Sequence, residues 1–350
     1  MNINPSILLI TPGEFGLKNL VIIGNITKTN VLNHYLPNPP RQNTSFILKH
    51  LKWMFLAFTT VQMSQNKKML IFWQQFTGIY YGMFCKLFFI KPKPSLILTF
   101  IYRKREGILG SLQNKFIKFC ISAPQIHIAC HSRIETHRYT RDFKFKTEGK
   151  FKFILLGEGM PVEYVSPTED RYFFSGGKSN REYFSVIKAF SQINEKLIIC
   201  ANQLDLQNHI NSSLIKIYYN KPRNEFYRYI ENSFAVILNV ANSEISSGQL
   251  VLLHALRYGK PIIVTEGPCM QDYILDDYAF SIKQGDIDSL IKNIGRLIQD
   301  QKQYNDMSKR ARESYHKYFS IDKYLERIAR EAVAIGLKSS VMQPIPSMNL

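Results

Sequence analysis

The sequence predicts an α/β protein of two doubly wound, Rossmann-like domains in series. Three observations carry that expectation. Short apolar, β-branched runs alternate with segments of helical period along most of the chain, the pattern of parallel sheets covered on both faces. At 350 residues the chain is too long for one ordinary core. The stretch FAVILNVANSEISSGQLVLLHALRYGKPIIVTEG, Phe234 to Gly267, holds a complete β-α-β unit in which a serine-rich loop feeds a helix.

In the first half, strands are expected at Ile7–Thr11, Leu20–Gly24, Met69–Trp73, Leu96–Phe100 and Ile126–Cys130, each a short apolar run. Helices are expected at Ser45–Met63, Gly78–Phe88, Leu109–Ile121 and Arg133–Phe143. Met69–Ile90 is long enough to cross a membrane, but Gln74-Gln75 interrupts it and Thr77-Gly78 reads as a strand-to-helix turn. A strand followed by a buried helix is the better reading. The helix carrying Trp53, Phe55 and Phe58 with Lys49 and Lys52 reads either as a core-facing amphipathic helix or as a membrane-surface element.

Lys144–Lys152 is charged and lacks a period, and Gly157–Glu169 carries two glycines and two prolines, so the interdomain link is placed there. The expected boundaries are residues 1–165, 166–325 and a helix end with a loose tail over 326–350. In the second half, strands are expected at Arg171–Ser175, Leu197–Ala201, Ile215–Tyr219, Phe234–Val240, Ile262–Thr265 and Ala279–Ile282. Helices are expected at Arg181–Ile193, Glu225–Glu231, Gln249–Tyr258, Asp286–Gln299, Gln303–Phe319 and Ile321–Ile335. Leu250, Leu253 and Leu256 mark one side of the helix that Gly259 stops, since Lys260-Pro261 cannot continue it. Ligands of such sheets bind beyond the carboxyl ends of the strands, and in two facing domains those ends can wall one cleft.

Charge is uneven. Residues 1–165 hold 22 Lys/Arg against 7 Asp/Glu, while the remainder holds 23 against 20, so the first half is the one suited to an anionic partner. Nucleic acid, acidic lipid and acidic glycan all qualify. The basic residues are scattered among apolar elements with no recognised nucleic-acid motif, so nucleic acid is not the expected partner. Cys85, Cys120, Cys130, Cys200 and Cys269 form no C-x-x-C pair and mostly sit in apolar runs, reading as buried free thiols of a reducing compartment. No basic segment leads an apolar one at the N-terminus, so no signal peptide is expected.

Two loops carry candidate chemistry. Gly176 and Gly177 permit a tight turn with close backbone approach, Lys178 and Arg181 bring positive charge, and Ser179 or Asn180 can cap the next helix. In the second loop Ser246 and Ser247 can cap the helix that Gly248 and Gln249 lead into, and its free N–H groups attract phosphate. The alternative is a plain β-α-β unit whose serines only cap. No H-x-x-x-H or D-x-D spacing stands near a strand end, so neither a metal nor a cofactor is expected.

The order of loops in residues 171–325 resembles the donor-binding domain of GT-B glycosyltransferases, and most closely the large retaining family with two glutamates separated by seven residues. That family carries E-G-F-G-L-V-L-L-E-A-M-A-x-G-K-P-V-I where this chain has S-S-G-Q-L-V-L-L-H-A-L-R-Y-G-K-P-I-I from Ser246 to Ile263. Leu250–Leu253, Ala255, Gly259, Lys260 and Pro261 match, as does the ending with Met307-Ser308 and Ala311-Arg312. Ser246 and His254 replace the two glutamates, which in the family position the donor sugar and contact the ribose.

The resemblance implies transfer of a sugar from a nucleotide-diphosphate sugar, with an acceptor-side domain over 1–165 and a donor domain over 166–325. It assigns donor contacts to Gly176, Gly177, Lys178, Arg181, Tyr219, Asn220, Ser246, Ser247, Gly248, Gln249 and His254, with Arg181 and Ser246 closest to catalysis. On the acceptor side, Glu14 and Phe15 follow the first strand, where the family places a flexible loop, while Arg103, Lys104, Glu106 and His131 follow strands of the basic half; each reads either as an acceptor contact or as an ordinary turn or solvated charge. The implied partners are a nucleotide sugar and a saccharide or lipid-linked acceptor, in the cytoplasm, with the basic half touching the inner face of an anionic membrane. The rival expectation is a non-catalytic subunit of the same fold.

Overall fold

The structure is a computed structural model and describes residues 6–40, 44–103, 105–145, 149–159, 171–202, 206, 210 and 212–336. Two compact units emerge. One holds the chain up to His131, Thr136–Ile154 and the chain from Leu325; the other holds Ser132–Glu135 and Leu155–Tyr324. The sequence placed the boundary in Gly157–Glu169, of which residues 160–169 lie outside the described residues, as does the tail over 337–350.

In the first unit, strands β1 (Ile7–Thr11), β2 (Val31–Tyr35), β3 (Met69–Phe72), β4 (Ser95–Ile97), β5 (Ile126–Cys130) and β6 (Phe151–Phe153) form one sheet in the order β2-β1-β3-β4-β5-β6. Every pairing is parallel. Helices α1 (Leu17–Thr27), α2 (Phe46–Met63), α3 (Gln75–Leu87), α4 (Gly107–Ile121) and α5 (Arg133–Phe143) make the crossovers. Ser45 caps α2 through the Leu48 amide and Gln74 caps α3 through that of Thr77. The second cap explains why α3 opens three residues ahead of the glycine at which it was expected.

The strand expected at Leu20–Gly24 is instead part of α1. A strand there could not lie parallel to β1, because parallel neighbours need a crossover of about a dozen residues. The run LVIIG is too short for its period to settle the matter, and the next strand is β2, with Val31 opposite Ile7. The charged stretch Lys144–Lys152, which lacks a period, runs into β6, whose Phe151 pairs with Ile128.

In the second unit, β7 (Phe173–Gly176), β8 (Leu197–Ala201), β9 (Ile215–Tyr219), β10 (Ala235–Leu238), β11 (Ile262–Thr265) and β12 (Ala279–Ile282) are again all parallel, in the order β12-β11-β10-β7-β8-β9. Helices α6 (Phe184–Phe190), α7 (Arg223–Glu231), α8 (Gln249–Arg257), the short α9 (Pro268–Gln271), α10 (Ile287–Gln299) and α11 (Gln301–Ser314) cover it. A π-helical turn, Tyr315–Phe319, leads to α12 (Ile321–Gly336), which from Leu325 on belongs to the first unit. The central strands are buried on both faces: Val236, Ile237 and Leu238 are wholly inaccessible, each contributing about 1.5–3 kcal/mol. Leu250, grouped by spacing with Leu253 and Leu256, is instead exposed, while those two are buried. All five cysteines are buried free thiols.

Strand order reverses between β7 and β10. Loops leaving these two strands turn to opposite sides, and the crevice between them is where doubly wound sheets take ligands. In the first unit the reversal falls between β1 and β3.

Two features of the first unit generate predictions. Gly82 on α3 packs against the Cys120 carbonyl of α4, and an added Cβ would fall inside contact distance of that oxygen. Gly82→Ala should therefore cost about 1–3 kcal/mol of stability, read as a lowered midpoint in thermal unfolding. Lys150 is buried, with Nζ donating to the Ala123 carbonyl, and burial together with Lys86 lowers its pKa to about 7. The unfolded chain keeps that proton to about pH 10, so it binds more protons than the folded chain between the two values. Stability should rise as pH increases from about 7 towards 10, and Lys150→Met should flatten that rise in urea unfolding at several pH values.

Candidate active site at the strand switch point

The loop after β7 and the loop after β10 are stitched together. Asn180, at φ +55°, donates from Nδ2 to the Asn242 carbonyl (2.8 Å) and accepts at Oδ1 from the Asn242 amide (2.8 Å). The Ala241 amide donates to the Asn180 carbonyl at 3.3 Å and that of Glu182 to Asn239 at 3.2 Å. Beneath lies a polar knot: Glu182 accepts from the Ser185 amide and hydroxyl, Asn239 Nδ2 donates to Ser185 Oγ, and Thr265 Oγ1 donates to Asn239 Oδ1.

Arg181 spans both loops. Its Nε donates to the Gly176 carbonyl (3.0 Å), and Nη1 to the Ser179 carbonyl (3.0 Å) and Ser247 Oγ (2.9 Å). Ser247 Oγ in turn donates to the Ser179 carbonyl at 3.0 Å. Two glycines make room for the guanidinium. A Cβ on Gly177 would lie 2.5 Å from Nε, and one on Gly248 would lie 3.3 Å from Nη2. Both glycines also sit at positive φ, +145° and +97°, which side chains resist. Burial lowers the guanidinium pKa from its ordinary value, but arginine keeps its charge at neutral pH.

The structure corrects the expected caps. Helix α8 is entered through Gly248 with no side-chain cap, so its first amides, at Gln249, Leu250 and Val251, carry no hydroxyl. Ser247 is engaged by Arg181, and Ser246 Oγ donates to Ser132 Oγ at 3.2 Å. Nor do Ser179 and Asn180 cap α6, which starts at Phe184 and whose Ser185 amide is taken by the Glu182 carboxylate instead. An uncapped N-terminus beside a fixed guanidinium is an anion-binding arrangement. Gln249 sharpens it: its Nε2 is buried and has no hydrogen-bond partner among the described residues. Lys178 is exposed at the rim.

Tyr219 and Asn220 end β9, two strands from β7 and so about 10 Å across the sheet edge. His254 is drawn inward. Its Nε2 lies 3.2 Å from Glu231 Oε1, its Nδ1 lies 3.7 Å from Glu158 Oε1, and its ring packs on Tyr227. The imidazole is 1% exposed.

In the first unit, Glu14 is exposed after β1. Phe15 packs on Trp73, ring centroids 4.9 Å apart, across the β1/β3 switch point. Asn33 holds this loop, accepting from the Phe15 amide at 2.9 Å and donating to Thr11 Oγ1 at 2.7 Å. Arg103 is exposed, Glu106 is the residue before α4, and Lys104 lies outside the described residues. His131 is buried, its Nδ1 3.0 Å from the Ile154 carbonyl. Sequence reasoning missed Asn33, Asn239 and Asn242; the one available signal was an asparagine in or just after an apolar strand. Among the described residues, no group of three or more His, Cys, Asp or Glu is arranged to hold a metal ion.

Two parallel-sheet units in one chain, the second with its loops converging on such a switch point, define the GT-B glycosyltransferase fold. Residues 161–314 match the family model described as glycosyl transferases group 1. Solved structures agree on the fold. A glycosyltransferase from Rickettsia africae ESF-5 superposes with a TM-score of 0.64 at 12% identity, over 95% of this chain and 99% of that one. Sucrose-phosphate synthase from Thermosynechococcus elongatus gives 0.66 at 12% identity, over 94% and 98%. HepE from Anabaena, in complex with UDP and glucose, gives 0.60 at 12% identity, over 94% and 99%. A search of curated proteins finds no significant match.

The stitching makes a direct prediction. Asn180→Ala removes both bonds to Asn242 and leaves a side chain at positive φ, so unfolding free energy should fall by about 2–3 kcal/mol. Asn180→Gly loses the bonds but not the backbone freedom, and should recover about 1 kcal/mol of that in urea titration.

Proposed function

We propose that the protein transfers a sugar from a nucleotide-diphosphate sugar to a saccharide or lipid-linked saccharide acceptor, in the assembly of a cell-surface polysaccharide or glycan. The observation that carries this reading is the Arg181 guanidinium held between two glycines beside the uncapped N-terminus of α8. A diphosphate would meet the α8 amides, the open edge of Arg181 and the Lys178 ammonium, which together stabilise the charge on the departing nucleotide. Gln249 Nε2 would donate to the same ligand. Ser246 would hydrogen-bond the donor sugar, and the end of β9 at Tyr219 and Asn220 would take the base. The structure of HepE with UDP and glucose supports a donor of this class.

On this reading the reaction needs no metal and no cofactor. Transfer retains the anomeric configuration, as the resemblance to a retaining family implies. The basic first unit takes the acceptor, with Glu14, Phe15, Arg103, Lys104, Glu106 and His131 as candidate contacts. The protein works in the cytoplasm at the inner face of the membrane.

A non-catalytic subunit is the second reading, and one observation favours it. His254 faces Glu231 and Glu158 inside the unit, away from the role its counterpart glutamate has in the family. Hydrolysis of a nucleotide sugar in the absence of acceptor would exclude this reading.

The test is a thermal-shift series with UDP, GDP, ADP, CMP and their sugar forms on the intact chain, with Arg181→Lys beside it. A diphosphate near 100 times its Kd should add about 2.7 kcal/mol and raise the midpoint by several degrees. Arg181→Lys, which keeps the charge but not the planar fork, should lose most of that shift. Full retention of the shift in the variant would remove the phosphate role.

A further inference from the structure

The layer formed by α2, α3 and α4 on one face of the first unit has two sides of different character. Inward, α2 buries Leu56, Ala57 and Val61. The helices are locked side by side: Trp53 stacks on Phe76 at 4.8 Å, Phe58 meets Phe84 at 5.7 Å, and Lys86 of α3 lies over Phe119 of α4 at 4.8 Å. Outward, α2 exposes Leu51, Phe55 and Phe58 at helical spacing, and α4 exposes Leu109, Leu112 and Phe116 likewise. Phe55 is 62% exposed, Leu109 81%, and Phe89, just past the end of α3, 97%. Isolated exposed apolar side chains are ordinary; two parallel stripes joined by an aromatic turn are not.

Charge identifies what this face meets. Between Glu14 and Glu135 the chain carries sixteen Lys/Arg and one acidic residue, Glu106. A second copy would bring the same strongly basic unit and be repelled. The apolar groups stand on a helical surface with lysines between and around them, Lys91 and Lys115 among those exposed. That mixture matches a bilayer interface, where rings and leucines enter the acyl boundary and ammonium groups meet anionic headgroups. Among the described residues no helix is long and apolar enough to cross a membrane.

We propose that the outer face of α2, α3 and α4 docks on an anionic lipid bilayer, lying in its surface. The proposal rests on the membrane placement proposed above and on no feature of the donor site, so it can fail while sugar transfer stands. The test is co-sedimentation of the intact chain with vesicles of phosphatidylcholine alone, or with about a third of phosphatidylglycerol, at low and high salt. The chain should pellet with the anionic vesicles at low salt, and less at high salt. Phe55→Ser with Leu112→Ser, and separately Lys91→Glu with Lys115→Glu, should each weaken binding by about tenfold or more while circular dichroism and the melting midpoint stay unchanged. Equal binding to neutral vesicles, no binding to either, or anionic binding untouched by both pairs would overturn the proposal. So would a dimer in sedimentation velocity that Phe55→Ser with Leu112→Ser dissolves, which would make this face a contact between copies.

Discussion

The candidate site depends on one side chain, the Arg181 guanidinium, and on the backbone that makes room for it. Five N–H groups in a rigid plane can bind several fixed acceptors at once, which a lysine ammonium cannot do with the same geometry. Here they take carbonyls at Gly176 and Ser179 and the hydroxyl of Ser247, so one residue ties the end of β7 to the loop that follows β10. Its burial is affordable because those acceptors replace the water it loses. Gly177 and Gly248 are the other half of the arrangement, since a Cβ on Gly177 would clash with the guanidinium and one on Gly248 would crowd Leu238 and, less closely, Nη2.

The same logic recurs in the first unit with a neutral side chain. Asn33, on the edge strand β2, reaches the β1 loop through Phe15 and Thr11, next to that sheet's own point of reversal. In both units a parallel sheet leaves two loops diverging from adjacent strand ends, and a planar amide or guanidinium group restrains what the sheet itself does not. Backbone pairing thins beyond the strands, to the Ala241 and Glu182 amides in the second unit, so most of the remaining loop order comes from side chains.

The two residues that stand where the resemblance expects glutamates lie in unlike surroundings. Ser246 stays at the loop tip, bonded to Ser132, and keeps a hydroxyl where a sugar contact is expected. His254 lies among Glu231, Glu158, Tyr227 and Tyr258, where it fills space and meets the Glu231 carboxylate through Nε2. A histidine at this position therefore has a packing role that a glutamate could not take between two carboxylates without like-charge repulsion.

The sequence alone determined the class of fold, because hydrophobic period and chain direction are local properties. β1, β5, β8, β9, β11 and β12 and helix α5 lie at the residues expected of them. It also singled out the loops after two strands of the second half, because glycines, a basic pair and serines stood at strand ends. Tertiary structure decided the rest. The run at Leu20–Gly24 became helix because β2 had to lie parallel to β1, and the three residues of β6 became a strand only through pairing with β5. Ser247 serves Arg181 in place of a helix cap, and His254 turns to Glu231, because partners 66 and 23 residues away in sequence reach them first. Which hydrogen bond a polar side chain makes depends on distances that the fold sets, and no local pattern encodes them.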